Sequence, residues 1–314
     1  MRFPFGKRRD DAPDDSPADA RQPRSDDVTD EDLVREIANR YLPEDVRQRW
    51  LQLLRPAIQL IPVTAAQGQV GRLGGLPTLP DGLSWPTWEG HGPLSYIGEL
   101  DCDRLAEFSL ELPAPSSGRL LFFYFDGSYD DHETTVGAWD AATLQGARAV
   151  HVPADVSASV REAPDGVTIY PEARMAGRTI MTAPGWEHPD LIDAFMEPGQ
   201  DPRSFMDHPV AGDDFNEALD ERHTGPRHQV GGYAAPVQGP VEDEVAHAAL
   251  NNEVPWTDPR LRAEADRWEL LFQVDSDDDL DMMWGDVGTL YWLARTADPA
   301  YDEPTAISFT WQCS

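Results

Sequence analysis

Six carboxylates crowd one short stretch near the end of the chain: Asp275, Asp277, Asp278, Asp279, Asp281 and Asp286. Oxygen ligands at alternate positions are what a calcium loop supplies, and Asp275, Asp277, Asp279 and Asp286 stand at positions 1, 3, 5 and 12 of such a loop. Two residues depart from the pattern. Position 6 is Leu280 where the tight turn needs glycine, and position 12 is the short Asp286 where a bidentate Glu would close the coordination sphere. The same stretch also reads as a solvated hairpin tip whose acids accept from neighbouring backbone N–H groups and guard a sheet edge against pairing with other chains.

Other reactive side chains form no such grouping. His132-Glu133 lacks the second histidine of a helical zinc motif, and His223 and His228 stand alone as a pair. There is no G-x-S-x-G elbow, and neither Cys102 nor Cys313 has a basic neighbour in sequence to lower its thiol pKa. Two cysteines so far apart give neither a disulfide framework nor a redox pair, which fits a reducing, cytoplasmic setting. The pairs Gly74-Gly75 and Gly231-Gly232 lack the spacing of phosphate-binding loops and read as turns. Of the ten tryptophans, Trp85, Trp186, Trp256 and Trp284 adjoin Pro or Gly, where a wide ring can line a groove at a sheet edge. The resulting candidate set is Gln273, Asp275, Asp277, Asp279, Trp284 and Asp286, joined by Gly231, Gly232 and Trp85.

Charge narrows the partners. With 57 acidic against 25 basic residues the formal charge is −32, which repels DNA, RNA and anionic membrane and suits a basic protein or peptide, or a cation. No apolar run approaches the roughly 20 residues needed to cross a bilayer. A non-catalytic module that binds a protein or ligand, in one version neutralising a toxin, is therefore the first reading. A divalent-metal enzyme or sensor, using calcium or magnesium at the loop 275–286, is the alternative.

The elements that must position these residues follow from periodicity. Residues 1–28 are polar and proline-rich and predict a disordered tail. Thr29 caps an amphipathic helix through Tyr41, and Pro43 opens a second that ends near Pro56, giving a helical lead-in over 29–58 that covers one side of a sheet. A first β half over 60–183 contains an alternating strand at Leu94–Asp101 and one apolar on both faces at Leu120–Phe125, with shorter strands at 148–152, 167–170 and 178–183. An irregular connector over 184–227 carries surface helices at 190–196 and 213–221. A second β half over 228–314 has a helix at 242–250 and strands at 269–274 and 288–293. The halves repeat one plan. Gly71-Arg-Leu-Gly-Gly-Leu-Pro77 matches the Val230-Gly-Gly-Tyr233 stretch, and 17 positions from Asp101 to Gly118 match 13 from Asp275 to Gly288. The expected fold is α+β and mainly β, with internally duplicated antiparallel halves, peripheral helices and two N-terminal helices.

Taken together, Leu73-Gly-Gly-Leu-Pro, Trp85-Pro86, Pro93-Leu-Ser-Tyr-Ile97, Gly118-Arg-Leu-Leu-Phe-Phe123, Leu271-Phe-Gln-Val-Asp-Ser-Asp277, Trp284-Gly-Asp-Val-Gly-Thr-Leu-Tyr-Trp292 and Trp311-Gln-Cys313 resemble the YwqG-like family, domain of unknown function 1963. The resemblance spans roughly residues 60 to 314. It implies a duplicated, mainly β domain with helices packed outside, and no activity. One departure is Glu99, where the family has Gln and the second half has Gln273.

Overall fold

A computed structural model describes residues 29–64, 68–111, 114–197, 200–295 and 306–314; the tail expected over 1–28 lies outside them. In chain order the strands are β1 (Arg55–Val63), β2 (Gln69–Leu73), β3 (Thr78–Pro80), β4 (Thr87–Trp88), β5 (Gly92–Pro93), β6 (Ser95–Asp101), β7 (Arg119–Tyr124), β8 (Ala147–Val152), β9 (Ala158–Val160), β10 (Ala173–Thr182), β11 (Gln229–Val230), β12 (Trp268–Asp275), β13 (Thr289–Arg295) and β14 (Ile307–Gln312). The helices are α1 (Asp30–Tyr41), α2 (Glu44–Leu51), α3 (Cys102–Ala106), α4 (Pro189–Phe195), α5 (Asp213–Glu221), α6 (Val241–Ala249) and α7 (Pro259–Ala265).

Ten of the strands make one antiparallel sheet in the order β14-β13-β12-β11-β1-β10-β2-β6-β7-β8. Its centre is the long β1–β10 pair, in register from Arg55 opposite Thr182 to Val63 opposite Arg174. Outside this pair each flank is a meander. On one side Gln59, Gln229, Gln273, Tyr291 and Thr310 stand in a single rung across β1, β11, β12, β13 and β14. On the other, Arg174, Arg72, Glu99, Leu121 and Val150 do the same across β10, β2, β6, β7 and β8.

The sheet curls so that its flanks close over one core in a nearly barrel-like shape. Phe122 of β7 meets Phe272 of β12 at 4.6 Å and Trp292 of β13 at 5.1 Å between ring centroids, and Tyr124 meets Phe309 at 5.0 Å. These rings are buried, as expected for a strand such as Leu120–Phe125 that carries large apolar side chains on both parities. Where the two edges approach, the Trp311 indole N–H donates to the Val136 carbonyl at 2.8 Å.

The start of the chain departs from expectation. The helical lead-in stops at Leu51, and residues 55–63 are the central strand β1. Pro56 had signalled the end of a helix, yet both it and Pro62 are accommodated in the strand for a geometric reason. The Leu60 N–H points to the His228 carbonyl on the β11 side, and residues of the same parity as Leu60 point that way too. Because β11 is two residues long and pairs only with Ile58 and Gln59, neither proline removes a ladder bond.

Among the described residues of the connector over 184–227, α4 and α5 form where surface helices were expected. Leu191, Phe205, Val210 and Phe215 pack against Val34, Ala38, Leu42 and Trp50 of α1 and α2 as a second core. The Thr29 cap forms as expected, with the Asp32 carboxylate returning the bond. Residues 167–170 form no strand, while β14 and α7 appear where none was expected.

Candidate functional site

A cleft of about 630 Å³ opens at the Thr182 end of β10. Its walls are the segment 182–188, the end of α5 with the chain following it, the loop 231–240 and the start of α6; Gln273, Asp275 and Thr289 supply the floor. This volume is in the range of small-ligand sites.

The loop 231–240 is held as a fixed wall. Gly231 and Gly232 both have φ near +70°, and a Cβ on Gly232 would lie 2.5 Å from the Thr182 hydroxyl, so only glycine fits there. Three buried glutamines then bond the loop backbone. The Gln229 amide donates to the Gly231 and Tyr233 carbonyls, both at 2.8 Å. The Gln273 oxygen accepts from Ala235 N–H at 2.9 Å while its amide donates to the Arg227 carbonyl at 3.0 Å. Gln312 accepts from Val237 and Gln238 N–H and donates to the Gly239 carbonyl. Buried amides of this kind cost free energy when unpaired, so the network fixes the loop in one conformation.

Along the wall of the cleft runs a cluster of ionisable groups. The Asp190 carboxylate takes Arg55 at 3.3 Å, Arg262 at 3.4 Å and the Tyr233 hydroxyl at 3.0 Å, and the Arg55 guanidinium lies over the Tyr233 ring, 4.2 Å from its centroid. His188 Nδ1 accepts from the Asp190 N–H at 3.1 Å, which leaves its proton on Nε2, 3.9 Å from the Glu242 carboxylate. Burial pushes the Glu242 carboxyl up to about 7, helped by neighbouring Asp243, and pulls the His188 imidazole down to about 4. His223, also lining the cleft, is drawn down to about 4 by burial and by Arg222 and Arg227. At neutral pH these two imidazoles therefore carry no charge.

Trp186 and His223, singled out in the sequence, line the cleft, and of the candidate set Gln273 and Asp275 do so too. Both are nonetheless spent on protein groups: Asp275 accepts from Arg227 N–H at 3.0 Å, Thr289 hydroxyl at 2.7 Å and Ser276 N–H at 3.1 Å. Gly231 and Gly232 shape the loop, and the Gly231 N–H is spent on the Leu271 carbonyl. Asp277 turns inward, accepting from His228 Nε2 at 3.1 Å and capping the Asp279 N–H at 2.9 Å. His228 holds its carboxyl below the usual range.

Asp279 and Asp286 face solvent. The carboxylates of Asp275, Asp277, Asp279 and Asp286 are therefore not brought together, and among the described residues no three His, Cys, Asp or Glu are grouped to hold a metal ion. Trp284, expected at a groove rim, is instead a core residue 3 % exposed, stacked edge-on to Tyr124 and Tyr170. Trp85 is anchored in the first flank by its indole bond to the Leu94 carbonyl at 2.8 Å and lies outside the cleft.

His188, Tyr233 and Glu242 escaped the sequence reading. Glu242 follows Pro240 in the first turn of a helix, where acids are ordinary partners of the helix dipole, and nothing local reveals that its side chain is buried. A further feature marks the cleft mouth: Val287, 62 % exposed, has φ +51°, a left-handed conformation that a β-branched residue adopts only under constraint.

Among the described residues no helix is long and apolar enough to cross a membrane. No curated protein matches the chain. The family model described as a domain of unknown function, DUF1963, matches residues 71–313, which take in both flanks of the sheet and every wall of the cleft, and the chain belongs to that family.

Proposed function

We propose that the protein is a non-catalytic binding module, built from two related β units, whose cleft receives a basic protein or peptide. The observation that carries this reading is the imbalance of charge inside a pre-shaped cleft. Arg222 is paired with Asp30 and Arg227 with Asp220, and His188 and His223 are neutral. Among the described residues, Glu187 and Glu242 have no arginine or lysine partner. A cationic group brought beside these residues meets carboxylate with no paired arginine, whereas the arginines that an anion would meet, Arg222 and Arg227, are already bonded to aspartates. Strain at Val287 and the stapled loop add pre-organisation, which lowers the entropic cost of binding.

The two-unit origin is supported residue by residue. Arg72 and Glu99 stand in one rung as Gln229 and Gln273 do in the other, and Arg72 and Gln229 each lie two residues before a Gly-Gly turn with positive φ. The ladder of β6 shifts register between Tyr96 and Gly98, that of β12 between Leu270 and Phe272. Beside those shifts the Gly74 N–H meets the Ile97 carbonyl and the Gly231 N–H meets the Leu271 carbonyl. Where the second flank uses amides, the first uses charge: Arg72 pairs with Glu99 at 3.3 Å and donates to the Leu76 carbonyl, four residues on, as Gln229 does to that of Tyr233.

Immobilised protein challenged with basic, neutral and acidic peptides at low and high salt tests the binding reading. Selective retention of the basic set, weakened by salt, is expected; equal retention of all three sets refutes it. A toxin with a basic surface would be one such partner, and two unpaired thiols, Cys102 and Cys313, suit a reducing cytoplasm. The divalent-cation reading of the loop 275–286 draws no support from the dispersal of its carboxylates, and calorimetric titration with calcium and magnesium tests it.

A further inference from the structure

Resting on the reading of the cleft as a site for a basic partner, we infer that Glu242 is the anchor for a single primary ammonium group, a lysine side chain of that partner, and that the solvated acids of the loop 275–286 are not. Three observations select this residue. Glu242 lines the cleft with its side chain only 13 % exposed, and among the described residues no side chain donates a hydrogen bond to its carboxylate. The aspartates beside it are committed, Asp190 to Arg55, Arg262 and Tyr233, and Asp275 to Arg227, Thr289 and Ser276. A buried carboxyl bonded only to its own backbone N–H stays costly to ionise until a cation arrives.

The shape of the site favours ammonium over guanidinium. His188 Nε2 sits 3.9 Å from Glu242 Oε2 and crowds that oxygen, which disfavours the bidentate contact a guanidinium makes best. A compact ammonium needs one oxygen and carries its own apolar stem, for which Pro236, Val237 and Trp186 line the approach.

The groups facing Glu242 are Asp243 on its own helix, Arg55 from β1, His188 and Asp190 from the segment entering α4, and Tyr233 from the loop 231–240. Arg55 is spent on Asp190 and the Tyr233 ring. Ammonium binding to the ionised carboxylate should therefore strengthen as pH rises from 5.5 to 8.

The test is calorimetric titration of the full chain, at low ionic strength, with a blocked lysine-rich peptide, its Nε-acetylated form and its arginine counterpart. Wild type, Glu242→Gln and the charge-matched control Asp286→Asn are compared. The expected result is a loss of affinity of about tenfold or more for Glu242→Gln and for the acetylated peptide, several-fold weaker binding of the arginine peptide, and no change for Asp286→Asn. Loss of the pH dependence in Glu242→Gln is expected as well. Wild-type affinity in Glu242→Gln overturns the anchor while leaving the basic-partner reading intact; equal binding of lysine and arginine peptides overturns the choice of ammonium. Failure of any basic peptide to bind wild type overturns both. Should Glu242→Gln fold poorly, the acetylated peptide and the pH series on wild type still decide.

Discussion

Replacing Glu242 by Gln should stabilise the free protein, and by an amount that depends on pH. In the unfolded chain the carboxyl titrates near 4.5; burial and Asp243 hold it up to about 7 in the fold. Between those values the folded protein keeps a proton that the unfolded chain has lost. The contribution is therefore present below pH 4.5, falls as pH rises through the window, and is fully lost above about 7. A displacement from 4.5 to about 7 corresponds to roughly 3 kcal/mol, an upper figure for a side chain that keeps some exposure.

His188 acts in the opposite sense. Pulled down to about 4, its imidazole is neutral in the fold, so stability is lost as pH falls from 6.5 towards 4. That slope lies below pH 6.5, so the comparison of variant with wild type at pH 7 and 8 reads Glu242 alone. Urea denaturation followed by tryptophan fluorescence at pH 5, 6, 7 and 8 measures the difference. The advantage of Glu242→Gln over wild type should be small at pH 5 and grow to about 2 kcal/mol by pH 8. A flat difference across that range, or a wild type that is the more stable at pH 8, would show that the carboxylate is comfortably ionised and would refute the account of the cleft.

Three further outcomes follow from the packing. Gln312→Leu leaves the Val237 and Gln238 N–H groups and the Gly239 carbonyl without their partner; it should cost about 2 kcal/mol or more in denaturation and speed hydrogen exchange across 235–240. Val287→Gly relieves a left-handed β-branched residue and should raise stability by about 1 kcal/mol, read as a higher urea midpoint with an unchanged slope. Phe122→Ala removes the ring that joins β7 to β12 and β13 and should cost roughly 3–5 kcal/mol, seen in the same assay.

Local signals were legible where local physics decides. The Thr29 cap, the doubly apolar Leu120–Phe125 and the α5 stretch 213–221 could be read directly, because capping, alternation and helical spacing act within a few residues. The acidic tip at 275–286 was also legible as a turn whose carboxylates bond backbone N–H groups, as Asp277 does.

What the sequence could not determine was set by contacts distant along the chain. Pro56 and Pro62 break a helix in isolation, and only the shortness of β11 frees them to sit in the central strand. Trp284 looked like a rim residue until the curl of the sheet brought Tyr124 and Tyr170 against it. The candidate site turns on the same distinction. Residue types alone placed the chemistry at the dense run of aspartates, but solvent screens exposed acids and weakens each of them. The tertiary structure instead buries Glu242 in a cleft beside aspartates that are already paired. A carboxylate's energy is set by what surrounds it in space, and that surrounding comes from β1, α4, α6 and the loop 231–240 together.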